Sequence, residues 1–302
     1  MLPGYMTYRD FFPRADDLRA AFDDHFSQPS AHRPETHQVW NYWNVPGQYT
    51  YLRTQPEKVL PREAVDELWQ SLRQIARDWF GLTHVSWPYL SLYVAGCAQG
   101  LHNDATNGRL GYVYSITKWD ERRFAGGETL VFHEQRYFGS AAMTQAAAAT
   151  GFYDLVPSHF NQLLVFDDRL PHAVPRIEGT MIPQEGRVVL HGHFAEGPPA
   201  VMGALSPAVV EAAIAINRPA LEAKARSAGA GLAGLLTLRL TVSDIGIVRR
   251  NEVLLDRLLA TADDAAKPED AIAAMVETVA DWRFPAADGT SMVIFAIPFR
   301  SA

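Results

Sequence analysis

The sequence contains a single cysteine, Cys97, among its 302 residues, so no disulfide can form within the chain. It has no run of lysine or arginine, and its formal net charge is −7. Gripping a phosphate backbone needs a basic surface, so nucleic acid is not an expected partner. No stretch approaches the roughly 18 consecutive apolar residues of a membrane span. The first residues carry Arg9, Asp10 and Arg14 and no apolar core of the signal-peptide kind. A cytoplasmic location without membrane attachment is therefore expected. Histidine and cysteine are both absent after residue 235, so no matched catalytic set is expected there. What is present is a globular balance, 48% apolar and 20% charged residues, in a chain long enough for one large domain or two.

Along the chain, residues 1–30 read as helical, with Leu18, Ala21 and Phe22 at helix spacing. Residues 37–54 are rich in aromatics (Trp40, Tyr42, Trp43, Tyr49, Tyr51), which either pack on the outside of a sheet or shape a substrate entrance. Residues 62–80 form an amphipathic helix pattern through Val65, Leu68, Trp69, Leu72, Ile75, Ala76 and Trp79. From 85 to 197 short strands alternate with turn residues, the pattern of a double-sheet jelly roll. Residues 134–160 are less regular and include the run Ala146–Ala149, an insertion expected near the substrate side. A break at Gly197-Pro198-Pro199 precedes a helical stretch at 206–227, interrupted by Pro219, and a glycine-rich hinge at Gly229, Gly231 and Gly234. Strict alternation restarts at Leu236–Val242. Helices are expected near 250–260 and 269–281, and a final strand at 291–299. The division implied is 1–200, then a helical linker at 201–234, then a small α+β domain at 235–302.

The chemistry-bearing residues lie in the middle. His102-Asn103-Asp104 is followed far downstream by Pro171-His172 and then by Gly186-Arg187. Two histidines and a carboxylate can occupy one face of an octahedral Fe(II) and leave three positions open. His102 and Asp104 are two residues apart, so on an extended strand they point the same way. The other eight of the ten histidines lack such a motif. His25, His32, His37, His84, His133 and His159 read as structural or surface residues.

The surroundings complete the pattern: Leu90–Cys97 before the first ligands, Leu110–Ile116 after them, Trp119-Asp120, Gly126–Phe132, Leu163–Phe166, Pro171–Pro175 and Gly186–Phe194. In that order these segments resemble the core of the prolyl-hydroxylase-like branch of the 2-oxoglutarate/Fe(II) oxygenases, over roughly residues 85–197. The resemblance implies a mainly β fold with flanking helices, a double-stranded β-helix (jelly roll, cupin-like), with the 62–80 helix as its buttress. It implies Fe(II) held by His102, Asp104 and His172, 2-oxoglutarate as co-substrate, dioxygen, and hydroxylation with release of succinate and CO2. Halogenases of this superfamily have glycine or alanine where this chain has Asp104, so oxygenation is implied; desaturation and ring closure use the same ligand set. The segment Trp282-Arg283-Phe284-Pro285 is similar to part of TonB-C-like and gliding-motility-protein domains, which implies a packing or partner-binding module.

The far carboxylate of 2-oxoglutarate needs a permanently charged, bidentate partner, a task for arginine. Arg176 and Arg187 both follow His172, and Arg187 opens an apolar strand at the family's spacing. Alternation then puts Val189, His191 and His193 on its face, where the histidines either line the pocket or form hydrogen-bonded interior pairs. By resemblance Tyr93, with Ser115 or Thr117, contacts the co-substrate. Asn103 either contacts substrate or has a structural role. Gly126-Gly127 make a tight turn. The expected substrate is a protein or peptide side chain, or an amino-acid-like small molecule. Two competing readings are a cupin-like metal enzyme with no use for 2-oxoglutarate or Arg187, and a non-catalytic interaction module.

Overall fold

The computed structural model describes residues 4–27, 39–133, 151–261 and 264–299. They form two compact units. One contains Pro3–Leu72 and Val85–Phe194; the other contains Arg73–His84 and everything from Ala195 onward.

The first unit opens with β1 (Tyr5–Tyr8) and α1 (Ala15–His25). The helix is shorter than the expected 1–30 because Tyr5–Tyr8 is extended and pairs with a distant strand. Next come β2 (Asn41–Val45), β3 (Tyr49–Thr54) and α2 (Arg62–Phe80), whose second half belongs to the other unit. The buried residues of α2 (Val65, Leu68, Leu72) follow its apolar period, whereas Trp79 is exposed. The two-residue β4 (His84–Val85) leads to β5 (Tyr89–Tyr93), β6 (Ala98–His102), β7 (Leu110–Ser115) and β8 (Thr129–Phe132). They are followed by β9 (Tyr153–Val156), β10 (Gln162–Asp167), β11 (His172–Val174) and β12 (Arg187–Ala195).

These strands hydrogen-bond in the order β1-β10-β7-β12-β5-β3-β6-β11-β8-β9, with β2 on β3 and β4 on β12. The antiparallel order is interleaved: β7 pairs with β12 and β6 with β11, each across a long stretch of sequence. Strand β3 makes the corner. Its first residues pair with β6 and its last with β5, so it joins two faces of one curled sheet. This is the double-stranded β-helix, or jelly roll, that the strand spacing implied. The aromatic segment divides between its two readings. Trp40 packs on Phe22 and Phe26 of the α1 region, while Trp43, Tyr49 and Tyr51 line the internal cavity.

Gly126 and Gly127 make the expected turn, at φ of 77° and 80°. A Cβ on Gly126 would overlap the Arg176 carbonyl oxygen. Gly126→Ala should therefore lower stability by about 2–5 kcal/mol, through left-handed strain and overpacking together. A urea melt followed by fluorescence measures it; an unchanged midpoint would contradict this account of the turn.

The second unit adds β13 (Ala200–Gly203), α3 (Pro207–Ala228), β14 (Leu232–Val242), β15 (Val248–Ala260), α4 (Pro268–Ala280) and β16 (Ser291–Phe299). Its sheet runs β13-β16-β14-β15. Two expectations change here. Residues 250–260 are strand, not helix. The leucine pairs 254/255 and 258/259 imitate a helical period because a β-bulge interrupts the alternation: Thr237 faces Leu255 and Leu238 faces Val253, leaving Leu254 as the extra residue. Residues 207–228 are no detached linker. Val210, Ile214 and Leu221 of α3 share one core with Leu236, Met275 and Phe295. Pro219 lies inside α3 without ending it, and the side chain of Ser206 caps its start. The run Ala146–Ala149 lies outside the described residues. Among the described residues no helix is long and apolar enough to cross a membrane.

Candidate metal and co-substrate site

The site begins with a register. His172, the first residue of β11, is the direct cross-strand partner of His102, the last residue of β6. Their rings stand 4.2 Å apart. Asp104 lies two residues beyond the end of β6, not on the strand as the spacing suggested. It is held there by its amide, which donates to the Asp168 carbonyl at 2.8 Å. The Asn107 side chain donates to Asp104 Oδ1 at 2.9 Å. That leaves Oδ2 facing His172 Nε2 at 3.4 Å and His102 Nε2 at 3.8 Å. The ligand atoms of the three residues all lie within 4.8 Å of one another.

The donor set suits a divalent metal. His102 Nδ1 donates to the Gly100 carbonyl at 2.8 Å, and His172 Nδ1 donates to the Leu170 carbonyl at 3.0 Å. A carbonyl can only accept, so each ring carries a proton on Nδ1, and Nε2 is the ring atom turned toward Asp104. Burial pushes the Asp104 carboxyl up, but the His172 contact and the neighbouring histidines outweigh it and hold it at about 2. Burial, with His172 nearby, pushes His102 down, which also favours the neutral, ligating form. Asp104, Asp168 and His193 form a second group of the same size. There, however, Asp168 Oδ2 already meets His193 Nδ1 at 3.0 Å. Burial pushes Asp168 up to about 6, against the pull of His193, so the pair holds a proton between them. It flanks Asp104 as a hydrogen-bonded pair, the interior role open to His193.

Arg187 begins β12 opposite Tyr93 of β5. Its side chain is 1% exposed, which makes it the largest fully buried residue described. Nε donates to Ser158 Oγ and a terminal nitrogen donates to Thr129 Oγ1, each at 3.1 Å. The guanidinium centre lies 4.9 Å from the Tyr93 ring centroid. Among the described residues it has no carboxylate in ion-pair range. Burial pushes its pKa down, while Tyr93 and Glu128 oppose the shift. A buried cation without a counter-charge is costly, and two hydroxyls offset only part of that. The other arginine after the second histidine, Arg176, is exposed and paired with Glu178 at 2.6 Å.

One cavity of about 620 Å³ joins these groups, with His102, Asp104, His172, Arg187 and Tyr93 among its walls. Val189, His191 and His193 line it too, as alternation from Arg187 requires. His191 Nε2 sits 2.8 Å from Ser91 Oγ, and burial, with Arg53 nearby, pushes its pKa down to about 3. Tyr93 donates to Gln99 Oε1 at 3.3 Å, and the Gln99 amide meets His102 Nε2 at 3.1 Å.

Three expected contacts are not on the cavity wall. The Ser115 hydroxyl donates to the Ser158 carbonyl at 2.8 Å, and that of Thr117 to the Val188 carbonyl at 3.0 Å. Both brace backbone beside Arg187 or its partner and have no proton left for a co-substrate. Asn103 points to solvent and accepts from the Ala105 amide at 3.4 Å. In their place stand residues that sequence reasoning did not single out: Thr129, Gln99, Asn107, Asp168 and Arg53. Thr129 lies in a quoted segment, but nothing local marks its hydroxyl as the partner of Arg187.

No family model matches the chain, and no curated protein matches it. Its fold is similar to that of several solved structures. A prolyl-4-hydroxylase from Pseudomonas putida is 20% identical with a TM-score of 0.44, over 65% of this chain and 94% of that one. The non-heme alpha-ketoglutarate-dependent epimerase SnoN from nogalamycin biosynthesis, in complex with Fe3+, alpha-ketoglutarate and nogalamycin RO, is 12% identical with a TM-score of 0.45, over 65% and 80%. An oxidoreductase of the 2OG-Fe(II) oxygenase family from Burkholderia pseudomallei is 14% identical with a TM-score of 0.40, over 63% and 84%. These likenesses are distant, and the chemistry is read from the site itself.

Proposed function

We propose that the protein is an Fe(II)- and 2-oxoglutarate-dependent dioxygenase that hydroxylates a peptide side chain or an amino-acid-like small molecule. One observation carries this reading: a two-histidine, one-carboxylate donor set shares its cavity with a buried arginine that lacks a counter-charge. His102, Asp104 and His172 would hold the iron through Nε2, Oδ2 and Nε2. Arg187 would take the far carboxylate of 2-oxoglutarate, which supplies the missing anion. Bound iron and 2-oxoglutarate supply the activation of dioxygen, with one oxygen atom entering the substrate and the other leaving in succinate, alongside CO2.

The chain's own residues position these partners. The Gly100 and Leu170 carbonyls fix the histidine tautomers, and Asn107 holds one oxygen of Asp104 so that the other faces the metal position. The Thr129 and Ser158 hydroxyls orient the guanidinium, and the face of Tyr93 covers it. The curled sheet buries His172 and Arg187, while His102 and Asp104 remain partly open to solvent. A metal site that ignores 2-oxoglutarate would leave the buried charge of Arg187 without purpose, and a non-catalytic module would not need its donors aligned.

The test is conversion of 2-oxoglutarate to succinate by the purified protein, slow without substrate and dependent on added Fe(II). Because Asp104 fills the position a halide would need, turnover of any substrate in chloride buffer should add oxygen and no chlorine. A chlorinated product would overturn that part of the reading, and absence of any iron-dependent succinate would overturn the whole.

A further inference from the structure

A second arginine lines the cavity. Arg53 lies on β3, on the same face as Tyr49 and Tyr51. Its guanidinium centre is 3.4 Å from the Tyr89 ring centroid and 5.3 Å from that of Trp43. Both rings are within cation–π range, with Tyr89 in direct contact, and their electron-rich faces favour a cation. Its Nε is buried and has no hydrogen-bond partner. Among the described residues no carboxylate is in ion-pair range. Its cavity neighbours include the Tyr51 hydroxyl, which hydrogen-bonds with it, the Ser91–His191 pair, in which His191 stays unprotonated, and His193, which is paired with Asp168.

Arg53 is separate from the co-substrate anchor. Its register partner on β5 is Ser91, whereas Arg187 faces Tyr93 from the opposite side of that strand. At ordinary strand spacing the two Cα atoms are roughly 12 Å apart. The cavity therefore holds two buried or half-buried guanidiniums, with the His102–Asp104–His172 cluster on its walls.

We propose that Arg53, packed against Tyr89 with Trp43 nearby, is the anchor for a carboxylate of the primary substrate, which is a small organic acid. This deepens the oxygenase reading and rests on it for the reaction. With Tyr89 against it, the guanidinium keeps its edge for a ligand, and there a planar carboxylate binds through two parallel hydrogen bonds. A phosphate dianion would ask for a second cation, and Arg187 is committed to the co-substrate. A substrate held by its carboxylate at Arg53 lays the rest of its length along the cavity toward the metal ligands. The aromatic hairpin β2–β3 thereby becomes the specificity element of the site.

The test uses calorimetric titration of the full-length protein with small aliphatic and aromatic monocarboxylates, each compared with its primary amide. Titrations are run with and without Mn(II) and 2-oxoglutarate. At least one acid should bind more tightly than its amide by on the order of tenfold to a hundredfold, the worth of a charge-assisted pair. Arg53→Gln should erase that preference. Arg53→Lys keeps the charge but loses the planar fork, so it should keep a weaker preference. Thermal melts of both variants monitor the fold; if Arg53→Gln does not fold, Arg53→Lys decides. Equal binding of acids and amides, no binding of either, or a preference that survives Arg53→Gln or is undiminished in Arg53→Lys would overturn the proposal. Failure of 2-oxoglutarate to bind would instead count against the oxygenase reading, and the comparison without co-substrate would still decide the role of Arg53.

Discussion

His172→Ala should abolish iron-dependent formation of succinate while the protein stays folded. The imidazole supplies one of only three protein donors, and removing it leaves His102 and Asp104 as an open pair. Loss of a ligand costs far more than loss of a supporting partner, which typically costs ten- to a hundredfold in metal affinity. The fold should survive because the strand pairing of β11 with β6 and β8 runs through backbone groups, which alanine retains. Two measurements check this: metal content after dialysis, and succinate yield. Leu170→Ala would be a poor substitute test, since the hydrogen bond that orients His172 comes from the backbone carbonyl of Leu170. Full turnover by His172→Ala would remove His172 from the ligand set.

Arg187→Ala should weaken 2-oxoglutarate binding by about 3–5 kcal/mol, the usual cost of removing one partner from a buried ion pair. That is a loss of affinity on the order of a hundredfold or more. Iron binding should change little, because Arg187 is no donor. The ligand-free protein should not lose stability in proportion, since a buried cation without a counter-charge disappears with the side chain. Arg176→Ala, on an exposed residue paired with Glu178, should leave 2-oxoglutarate affinity unchanged. Calorimetry on both variants checks the pair of expectations. If Arg176 proved the sensitive residue, the co-substrate would be bound elsewhere than in the cavity described.

Much of this site was legible in the sequence because its signals are local. His102 and Asp104 lie within three residues of each other, and His172 stands beside a proline in its own short motif. Alternation along one strand then placed Val189, His191 and His193 with Arg187 on one face. What could not be read depends on partners far away in the chain. Ser115 and Thr117 lie in the right strand region, yet the Ser158 and Val188 carbonyls capture their hydroxyls. Asp168 acquires its role only because β12 brings His193 to it. Arg53 looks like an ordinary surface residue until Tyr89 and Trp43 close on it. The jelly roll showed in the spacing of short strands, whereas the bulge at Leu254 made a strand look helical. The apolar face of α3 looked like linker because the sheet that covers it comes later in the chain.

The pairing of β11 has a further consequence. This strand is three residues long, and its register against β6 shifts between His172 and Val174. A ladder this short fixes its alignment weakly, and a slip of one residue would turn His172 to the opposite face of the sheet. Any ion that bridges His102 and His172 therefore acts as a rivet across two strands that the backbone alone holds loosely. Metal affinity and strand alignment are then thermodynamically linked: loading the ion selects the aligned sheet, and misalignment releases the ion. Slow hydrogen exchange at the β6–β11 amides should track metal occupancy more closely than exchange elsewhere in the barrel.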